Sequence, residues 1–148
     1  MTSFIHPTAL ISPSAKISSD VKIGPFTIIE DNVVIKKGST IKSSVHICKN
    51  TIIGEECQIF QSAVIGEIPQ DLKYDGEETS LRIGDRTKIR EFCTINKGTK
   101  ANGETSIGND CLLMAYVHVA HDCIIGDNTV LANGVQLGGH VEIGNWVT

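Results

Sequence analysis

Large aliphatic residues recur along this chain with a period of six. Isoleucine occupies every sixth position from Ile5 to Ile65, and the same phase continues through Ile83 and Leu113 to Ile143. Neither the period of an amphipathic helix, about 3.6 residues, nor the alternation of an ordinary strand produces this pattern. A fixed short period is the signature of a repeat architecture, in which each unit buries its apolar residue against its neighbours. The pattern therefore predicts an elongated, repetitive fold.

A second column of residues lies four positions after each aliphatic and holds small or β-branched side chains. Glycine is frequent directly after the aliphatic, as at Gly24, Gly54 and Gly108. A short strand followed by a tight bend needs an inward bulky residue, a small residue inside the corner and a permissive backbone. The chain contains 21 recognisable six-residue units. Three units to a coil predict an all-β fold, a parallel β-helix of hexapeptide repeats with about seven triangular coils.

Two polar, turn-rich segments interrupt the pattern, at residues 66–82 and 96–106. Their composition favours loops on the outside of the coil. Both keep the six-residue phase in the numbering, so the coil resumes in the same register after each loop. We therefore expect a single domain, residues 1–148, with two external loops.

Composition and charge narrow the function classes. The net charge of -4 and the pI near 5.7 give no support for nucleic-acid binding. The chain shows neither a basic leader with an apolar core nor an apolar run long enough for membrane insertion, so we expect no signal peptide and a cytoplasmic location. Seven of the thirteen basic residues lie between Lys73 and Lys100. They form either a solvated surface or a phosphate-binding region.

The five cysteines do not suggest a disulfide or metal framework. Their number is odd and the sequence contains no C-x-x-C pair. Four of them occupy the small-residue column and are predicted to be buried small side chains: Cys57, Cys93, Cys111 and Cys123. Cys48 lies outside that column, and the repeat gives it no role.

Six-residue units that are three apart in the sequence lie on the same face of the coil when the two loops are left out of the count. The units that begin at Ile65, Ile95, Val119 and Leu137 then stack in successive coils. The first two of these units lead into the two loops, the third contains His121 and Asp122, and the fourth contains Gly139 and His140. The spacing therefore predicts that both loops and these residues meet at one edge of the prism.

Within that edge, the spacing predicts two adjacent columns. Lys97, His121 and Gly139 fall in the first, and Asp122 and His140 fall in the second. His121 beside Asp122 has the parts of a general base with an orienting carboxylate, because histidine titrates near neutrality. Neighbours on a strand point to opposite faces, so this pairing needs a bend. Gly139 could offer a backbone N–H to a developing oxyanion. The alternative is a histidine that only satisfies a turn.

His118, three residues before His121, raises the possibility of a zinc site. A zinc site needs further ligands at suitable spacing, and a corner separates these two histidines, so we predict no metal site. His6 and His46 are isolated, and we interpret both as structural or solvent-exposed.

The chain resembles the family of UDP-N-acetylglucosamine acyltransferases, which catalyse the first step of lipid A biosynthesis. The resemblance covers the whole chain and is carried by the segments IGEIPQDLKYDGE, IGDRTKIREFCTINKGT, NDCLLMAYVHVAHDCIIGDNTVLANG and LGGHVEIG. The strings QDLKY and HVAHDC are specific to this family among hexapeptide acyltransferases. The resemblance implies a left-handed coil and transfer of a 3-hydroxyacyl chain from acyl carrier protein to the 3-hydroxyl of UDP-N-acetylglucosamine.

The resemblance also implies a homotrimer with active sites between neighbouring prisms, without a cofactor or metal. His121 matches the catalytic base of the family, Asp122 its partner and Gly139 the oxyanion donor. The residues at positions of substrate contacts are Gln70, Asp71, Lys73, Asn96, His118 and His140.

The chain departs from the family at three positions and in length. Asn96 stands where the family usually has histidine, Gly138 where alanine is usual, and Pro69 where asparagine is usual. The family continues into further coils and a helical C-terminal domain, which we expect to be absent here. These departures leave two alternatives open, an acyltransferase acting on a different nucleotide amino sugar and an inactive, truncated scaffold that only trimerises.

Overall fold

Parallel strands wound into a triangular coil make up this protein. A computed structural model describes residues 3–148. Within these residues, 21 short strands form three parallel sheets of seven strands each. Each strand pairs with the strands three before and three after it, so three consecutive strands make one coil. The predicted left-handed β-helix of hexapeptide repeats is confirmed.

Every third strand along the chain belongs to the same sheet. The first sheet contains β1 (Phe4–Ile5), β4 (Lys22–Ile23), β7 (Thr40–Ile41), β10 (Gln58–Ile59), β13 (Lys88–Ile89), β16 (Leu112–Leu113) and β19 (Val130–Leu131). The second contains β2 (Leu10–Ile11), β5 (Ile28–Ile29), β8 (His46–Ile47), β11 (Val64–Glu67), β14 (Thr94–Asn96), β17 (His118–Val119) and β20 (Gln136–Leu137). The third contains β3 (Lys16–Ile17), β6 (Val34–Ile35), β9 (Thr51–Ile53), β12 (Ser80–Ile83), β15 (Glu104–Ile107), β18 (Ile124–Ile125) and β21 (Glu142–Ile143).

The aliphatic residues of the six-residue pattern form the core. Parallel pairing places Ile41 opposite Ile59 and Ile59 opposite Ile89, so equivalent side chains stack inside the prism. These three side chains are at most 1% exposed. Burying one such side chain contributes about 1.5–3 kcal/mol. The repeated stacking of like residues therefore fixes the register of every coil.

Residues in the left-handed backbone region turn the corners. Within residues 3–148, fifteen residues other than glycine have a positive φ, among them Phe92, Asp122 and His140, and each lies three positions after an aliphatic of the pattern. Backbone groups at the corners form hydrogen bonds with the preceding coil. For example, the N–H of Asp110 donates to the carbonyl of Asp85 at 2.8 Å. These bends aim corner side chains away from the strand direction.

Five of the glycines that follow the aliphatics serve a different purpose from the one that the sequence suggests: Gly24, Gly54, Gly84, Gly108 and Gly126. A β-carbon on Gly108 would lie 2.8 Å from the backbone carbon of Gly126 and 2.4 Å from the Oδ1 atom of Asp127. Stacked coils approach so closely at this column that only a hydrogen atom fits. Close packing between coils therefore requires these five glycines, whereas Gly66 has a positive φ of 89° and the space beside Gly138 and Gly144 is open.

The two loops are shorter than their polar composition suggested. Strand β11 extends to Glu67 and β12 begins at Ser80, which leaves residues 68–79 outside the strands. Strand β14 extends to Asn96 and β15 begins at Glu104, which leaves residues 97–103. The ends of both predicted loops pair with neighbouring strands, because an unpaired backbone beside a sheet would lose hydrogen bonds.

The cysteine side chains lie inside the coil. All five cysteines are buried with free thiols, which confirms the prediction for the four in the small-residue column. Across residues 3–148, no helix has the length and apolar character needed to cross a membrane.

Candidate active site

The two loops, two histidines and a glycine meet at one edge of the second sheet. Strands β11, β14, β17 and β20 are consecutive neighbours in this sheet, as the spacing predicted. Residues 68–79 follow β11 and residues 97–103 follow β14. His121 follows β17, and Gly139 follows β20. The strand order thus brings together groups that lie up to about half the chain apart.

His121 and Asp122 form a hydrogen-bonded pair at this corner. The Nδ1 atom of His121 lies 2.8 Å from the Oδ2 atom of Asp122. Asp122 has a φ of 61°, and this left-handed conformation supplies the bend that turns its carboxylate back toward its neighbour. The side chain of His121 is 14% exposed and that of Asp122 is fully buried. The predicted pairing of these two residues is therefore present.

Three residues of the second loop and strand β15 hold Asp122 in place. Thr99 donates from its backbone N–H to Oδ1 at 2.9 Å and from its hydroxyl to Oδ2 at 2.5 Å. The N–H of Asn102 donates to Oδ1 at 3.3 Å, and the N–H of Asp122 donates to the hydroxyl of Thr105 at 2.8 Å. This network anchors the carboxylate that orients His121.

The network also sets the ionisation of Asp122. Burial alone would raise the pKa of this carboxyl, but the hydrogen bonds from Thr99, His121 and Asn102 outweigh it, and the pKa lies below its usual value. An ionised carboxylate can only accept hydrogen bonds. The proton between the two side chains therefore belongs to Nδ1 of His121, and the lone pair of Nε2 is left for another partner.

Gly139 lies directly against the ring of His121. A β-carbon at position 139 would be 2.5 Å from Cε1 and 2.6 Å from Nε2. His140 packs its ring edge-on against His121, with the centroids 5.1 Å apart, and its Nε2 lies 3.8 Å from the Oδ2 atom of Asp122. The predicted neighbours Gly139 and His140 therefore both border the imidazole.

Asp71 of the first loop approaches the other nitrogen of His121. Its Oδ2 atom lies 3.8 Å from Nε2, which is too long for a hydrogen bond. A cavity of about 180 Å³ opens beside this contact. It is lined by residues of both loops and one histidine, namely Asp71, Lys73, Tyr74, Glu77, Thr99, Lys100, Ala101 and His140.

The remaining predicted substrate contacts differ in their surroundings. Gln70 is exposed beside the cavity-lining Asp71. Lys73 lines the cavity, and its backbone N–H donates to Oδ1 of Asp71 at 3.0 Å. Asn96 is 3% exposed, and its Oδ1 atom has no hydrogen-bond partner among the described residues. Most buried polar atoms have a hydrogen-bond partner, so this acceptor is an exception among the buried groups of the coil.

His118 lies on strand β17, apart from the His121–Asp122 pair. Its Nδ1 atom is 2.7 Å from the hydroxyl of Thr94 on the neighbouring strand. Burial lowers the pKa of His118, and the bond to Thr94 opposes this only in part, so the neutral imidazole is favoured.

Five of the seven clustered basic residues fall into two groups in space. The guanidinium groups of Arg82, Arg86 and Arg90 form ion pairs with acidic neighbours on the body of the coil. Lys73 and Lys100 line the cavity instead. The loop lysines therefore remain the candidates for the predicted phosphate-binding region, because the arginines are engaged by carboxylates.

His121, Asp122 and His140 also bring three potential metal ligands within 4.8 Å of one another. The sequence suggested His118 as the second histidine beside His121, whereas the structure brings His140 there. The nitrogen and carboxylate donors are of types that zinc accepts. The hydrogen bonds of Asp122 to Thr99 and His121 already use both of its oxygens, so the pair is organised without an ion.

Sequence analysis missed Thr99, Asn102 and Thr105. They contact Asp122 across 17 to 23 residues of chain, and loop conformation determines which polar side chain points inward. The run KGT, residues 97–99, at the start of the second loop is the one local signal, since a threonine in a loop has a hydroxyl available for hydrogen bonding.

Comparison with protein families gives two matches. Residues 104–139 match the family described as Bacterial transferase hexapeptide (six repeats). Residues 4–70 match the one described as GMPPB C-terminal domain. Both matches fall on strands of the coil.

The chain is similar to curated proteins named acyl-[acyl-carrier-protein]--UDP-N-acetylglucosamine O-acyltransferase. It is 53% identical over 146 residues to the protein of Janthinobacterium sp. (strain Marseille), a match that covers 98% of this chain and 56% of that protein. It is 48% identical over 140 residues to the protein of Thermodesulfovibrio yellowstonii, covering 94% of this chain and 54% of that protein. The chain thus spans about half the length of the curated relatives it matches.

A solved structure agrees closely with this fold. LpxA from Acinetobacter baumannii matches with a TM-score of 0.95 and 50% sequence identity, covering 96% of this chain and 55% of that chain. The similarity therefore extends over nearly all of the β-helix.

Proposed function

Given that the chain belongs to the family of UDP-N-acetylglucosamine acyltransferases, of which it matches the N-terminal β-helix portion, we propose that it takes part in the transfer of a 3-hydroxyacyl chain. The donor is acyl carrier protein and the acceptor is the 3-hydroxyl of UDP-N-acetylglucosamine, in lipid A biosynthesis. The observation that carries the proposal is the His121–Asp122 pair, in which Nε2 of His121 lies 3.8 Å from Asp71, a residue that lines the cavity between the two loops.

His121 acts as the general base in this proposal. Asp122 keeps the proton on Nδ1, so Nε2 takes the proton of the sugar hydroxyl as its oxygen attacks the thioester carbonyl. Asp71 is 3.8 Å from Nε2, which leaves the nitrogen available to that hydroxyl. The new C–O bond forms, the C–S bond breaks, and the proton on Nε2 passes to the departing thiolate.

Gly139 stabilises the negative charge that develops on the carbonyl oxygen. Its backbone N–H is the proposed donor, and a backbone donor held in place by the fold stabilises such charge without reorganising. The absence of a side chain lets the thioester approach the imidazole, because a β-carbon here would lie within 2.6 Å of two ring atoms.

The loop residues bind the nucleotide sugar. Lys73 and Lys100 supply positive charge at the cavity for the diphosphate. Gln70, Asp71 and His140 lie on or beside the same cavity, and we assign them contacts to the sugar.

Exposed apolar side chains support a homotrimer in which neighbouring chains complete each site. Phe92 and Tyr116 stack with ring centroids 5.1 Å apart, although 47% and 61% of these residues remain exposed. Leu10 and Phe26 are also largely exposed. Apolar surface of this kind marks association sites. Sedimentation equilibrium tests the trimer, and a concentration-independent monomer would contradict it. The cytoplasmic location stays a prediction.

An acyl-transfer assay tests the function directly. The purified protein is incubated with UDP-N-acetylglucosamine and 3-hydroxyacyl carrier protein, and the O-acylated product is measured. His121→Ala should lower turnover by at least about 100-fold, the contribution typical of a general base. Turnover that survives this change refutes the assigned base. Absence of turnover in the wild type, together with crystals that take up no nucleotide sugar, supports a non-catalytic trimerising scaffold instead.

A second candidate acceptor is a different nucleotide amino sugar. The observation that favours it is Asn96, whose buried Oδ1 lacks a partner among residues 3–148 and which cannot carry a proton as the histidine usual at this position can. A panel of nucleotide sugars assayed with one acyl carrier substrate separates the two, since the true acceptor gives the highest kcat/KM.

A further inference from the structure

Cys48, to which the repeat gives no role, lies in a cluster of potential metal ligands on the second sheet. The thiol of Cys48, the imidazole of His46 and the carboxylate of Glu30 bring one ligand atom each within 4.8 Å of one another. Cys48 is 4% exposed, whereas the side chains of His46 and Glu30 are 35% and 38% exposed. The sulfur of Cys48 is therefore held in the interior, whereas the side chains of His46 and Glu30 have room to rotate at the surface.

The coil itself builds this cluster. Strands β5 and β8 pair with Ile29 opposite Ile47, so the residues that follow, Glu30 and Cys48, stack at the same corner in consecutive coils. The N–H of Glu30 donates to the carbonyl of Ile47 at 3.0 Å. His46 precedes Cys48 by two positions, and its Nε2 atom lies 2.5 Å from Oε2 of Glu30. The regular backbone pairing thus places all three residues at one corner of the coil.

Glu30 is oriented by a further contact. Its Oε1 atom accepts a hydrogen bond from the backbone N–H of Lys49 at 3.0 Å, which directs Oε2 toward His46. Metal-binding carboxylates are commonly held by an outer hydrogen bond of this kind.

We propose that Glu30, His46 and Cys48 form a binding site for a divalent transition-metal ion, of which Zn²⁺ fits best. Zinc accepts thiolate, imidazole and carboxylate ligands together. Its bonds of about 2.0–2.3 Å place tetrahedral ligands roughly 3.5 Å apart, so small rotations of His46 and Glu30 close the site. The S–H bond of Cys48 breaks as the S–metal bond forms, and the proton leaves to the solvent. Nε2 of His46 gives up the proton that it shares with Glu30, and the imidazole carries its proton on Nδ1 instead as the N–metal bond forms.

Neighbouring charges favour a cation overall. Glu67, at the end of β11, hydrogen-bonds with Cys48 and brings a second carboxylate to the cluster. Lys97 is 7% exposed and acts on Cys48 with the opposite sign. With the metal bound, the negative charges of two carboxylates and the Cys48 thiolate exceed the single positive charge of Lys97. Glu67 is also the candidate for the fourth ligand, with water as the other occupant of that position.

A free nucleophilic thiol at Cys48 is the competing explanation for the cluster. Burial raises the pKa of this thiol, and Glu67 and Glu30 raise it further, whereas reactive cysteines have a lowered pKa. The surroundings thus suit a thiolate only when a cation is bound to it.

Cobalt spectroscopy tests the site without any assay of activity. Protein freed of metal by a chelator is titrated with Co²⁺, and binding should give a thiolate-to-cobalt charge-transfer band that saturates at one ion per chain and disappears when Zn²⁺ is added. Cys48→Ser should abolish the band. His46→Gln and Glu30→Gln, both at partly exposed positions, should weaken Zn²⁺ binding by at least about 10-fold, measured by competition with a chromophoric chelator.

Two control variants keep this result specific. Cys57→Ser should retain the band, because the thiol of Cys57 donates to the carbonyl of Gly84 at 2.9 Å and lies in the small-residue column. His140→Gln should also retain it, which separates the site from the second cluster around His121. Absence of the band in the wild type, or its persistence in Cys48→Ser, overturns the proposal. Circular dichroism of each metal-free variant verifies that it is folded.

Discussion

Gly139 lies so close to His121 that a β-carbon at position 139 would be 2.5 Å from the Cε1 atom of the imidazole. The ring cannot easily retreat, because Asp122 holds its Nδ1 atom at 2.8 Å and the side chain is 14% exposed. Gly139→Ala should therefore displace the imidazole and lower kcat by at least about 100-fold, which is the rate enhancement that a general base typically contributes. Steady-state acyl-transfer kinetics measure this loss.

Gly138 provides the matched control for this change. No atom of residues 3–148 outside its chain neighbours lies within 4 Å of a β-carbon placed there. Gly138→Ala should leave kcat within about twofold of the wild type, since surface changes without new contacts have small effects. Equal losses of kcat in Gly139→Ala and Gly138→Ala would show that the contact with His121 does not cause the loss of activity.

The stability of the protein should depend on pH through Asp122. The pKa of this carboxyl lies below its ordinary value of 3.8, so its ionisation adds stability that is fully present above the unfolded-state pKa. That stability is lost as the pH falls through the lowered, folded-state pKa. Asp122→Asn should cost about 1.5–3 kcal/mol in the free energy of unfolding near pH 7, because hydrogen bonds to a charged group are replaced.

Urea unfolding from pH 7 down to pH 2 measures this dependence. The difference in the free energy of unfolding between the wild type and Asp122→Asn should shrink toward the acid end, where Asp122 is protonated and becomes neutral like asparagine. A difference that stays constant over this range would contradict the assigned linkage.

Thr99 should act as a positioning residue for the His121–Asp122 pair. Its hydroxyl donates to Oδ2 of Asp122 at 2.5 Å. Thr99→Val keeps the shape but removes this donor, so kcat should fall by about 10-fold or more and the acid loss of stability should move to higher pH, because the pKa of Asp122 rises. Thr99→Ser keeps the hydroxyl and should restore both properties. Failure of serine to restore them would indicate a packing role only.

Close packing between coils should make Gly108 intolerant of alanine. A β-carbon there would lie 2.8 Å from the backbone carbon of Gly126. Gly108→Ala should lower the free energy of unfolding by about 1–3 kcal/mol, as overpacking typically does. Gly144 occupies the same column in the last coil, where no described residue comes within 4 Å of a β-carbon. Gly144→Ala should therefore leave the denaturation midpoint unchanged, and equal effects at both positions would refute the packing explanation.

The repeat in the sequence was sufficient to predict the coil and its register. A large aliphatic is needed inside each face of the prism, so the period of six states which residue stacks on which, from Ile5 to Ile143. For the same reason the meeting of His121, Gly139 and both loops could be predicted by counting. The adjacency of His121 and Asp122 was visible as well, because they are neighbours in the chain.

Only the tertiary structure determined how the polar groups of the loops meet that edge. Thr99 and Asn102 bind Asp122, and Asp71 approaches His121, through loop conformations on which the six-residue period places no constraint. The grouping of Glu30 with His46 and Cys48 depends on side-chain directions at one corner. The period constrains residues that must be buried to stabilise the coil, whereas polar side chains outside it are placed by hydrogen bonds between distant segments.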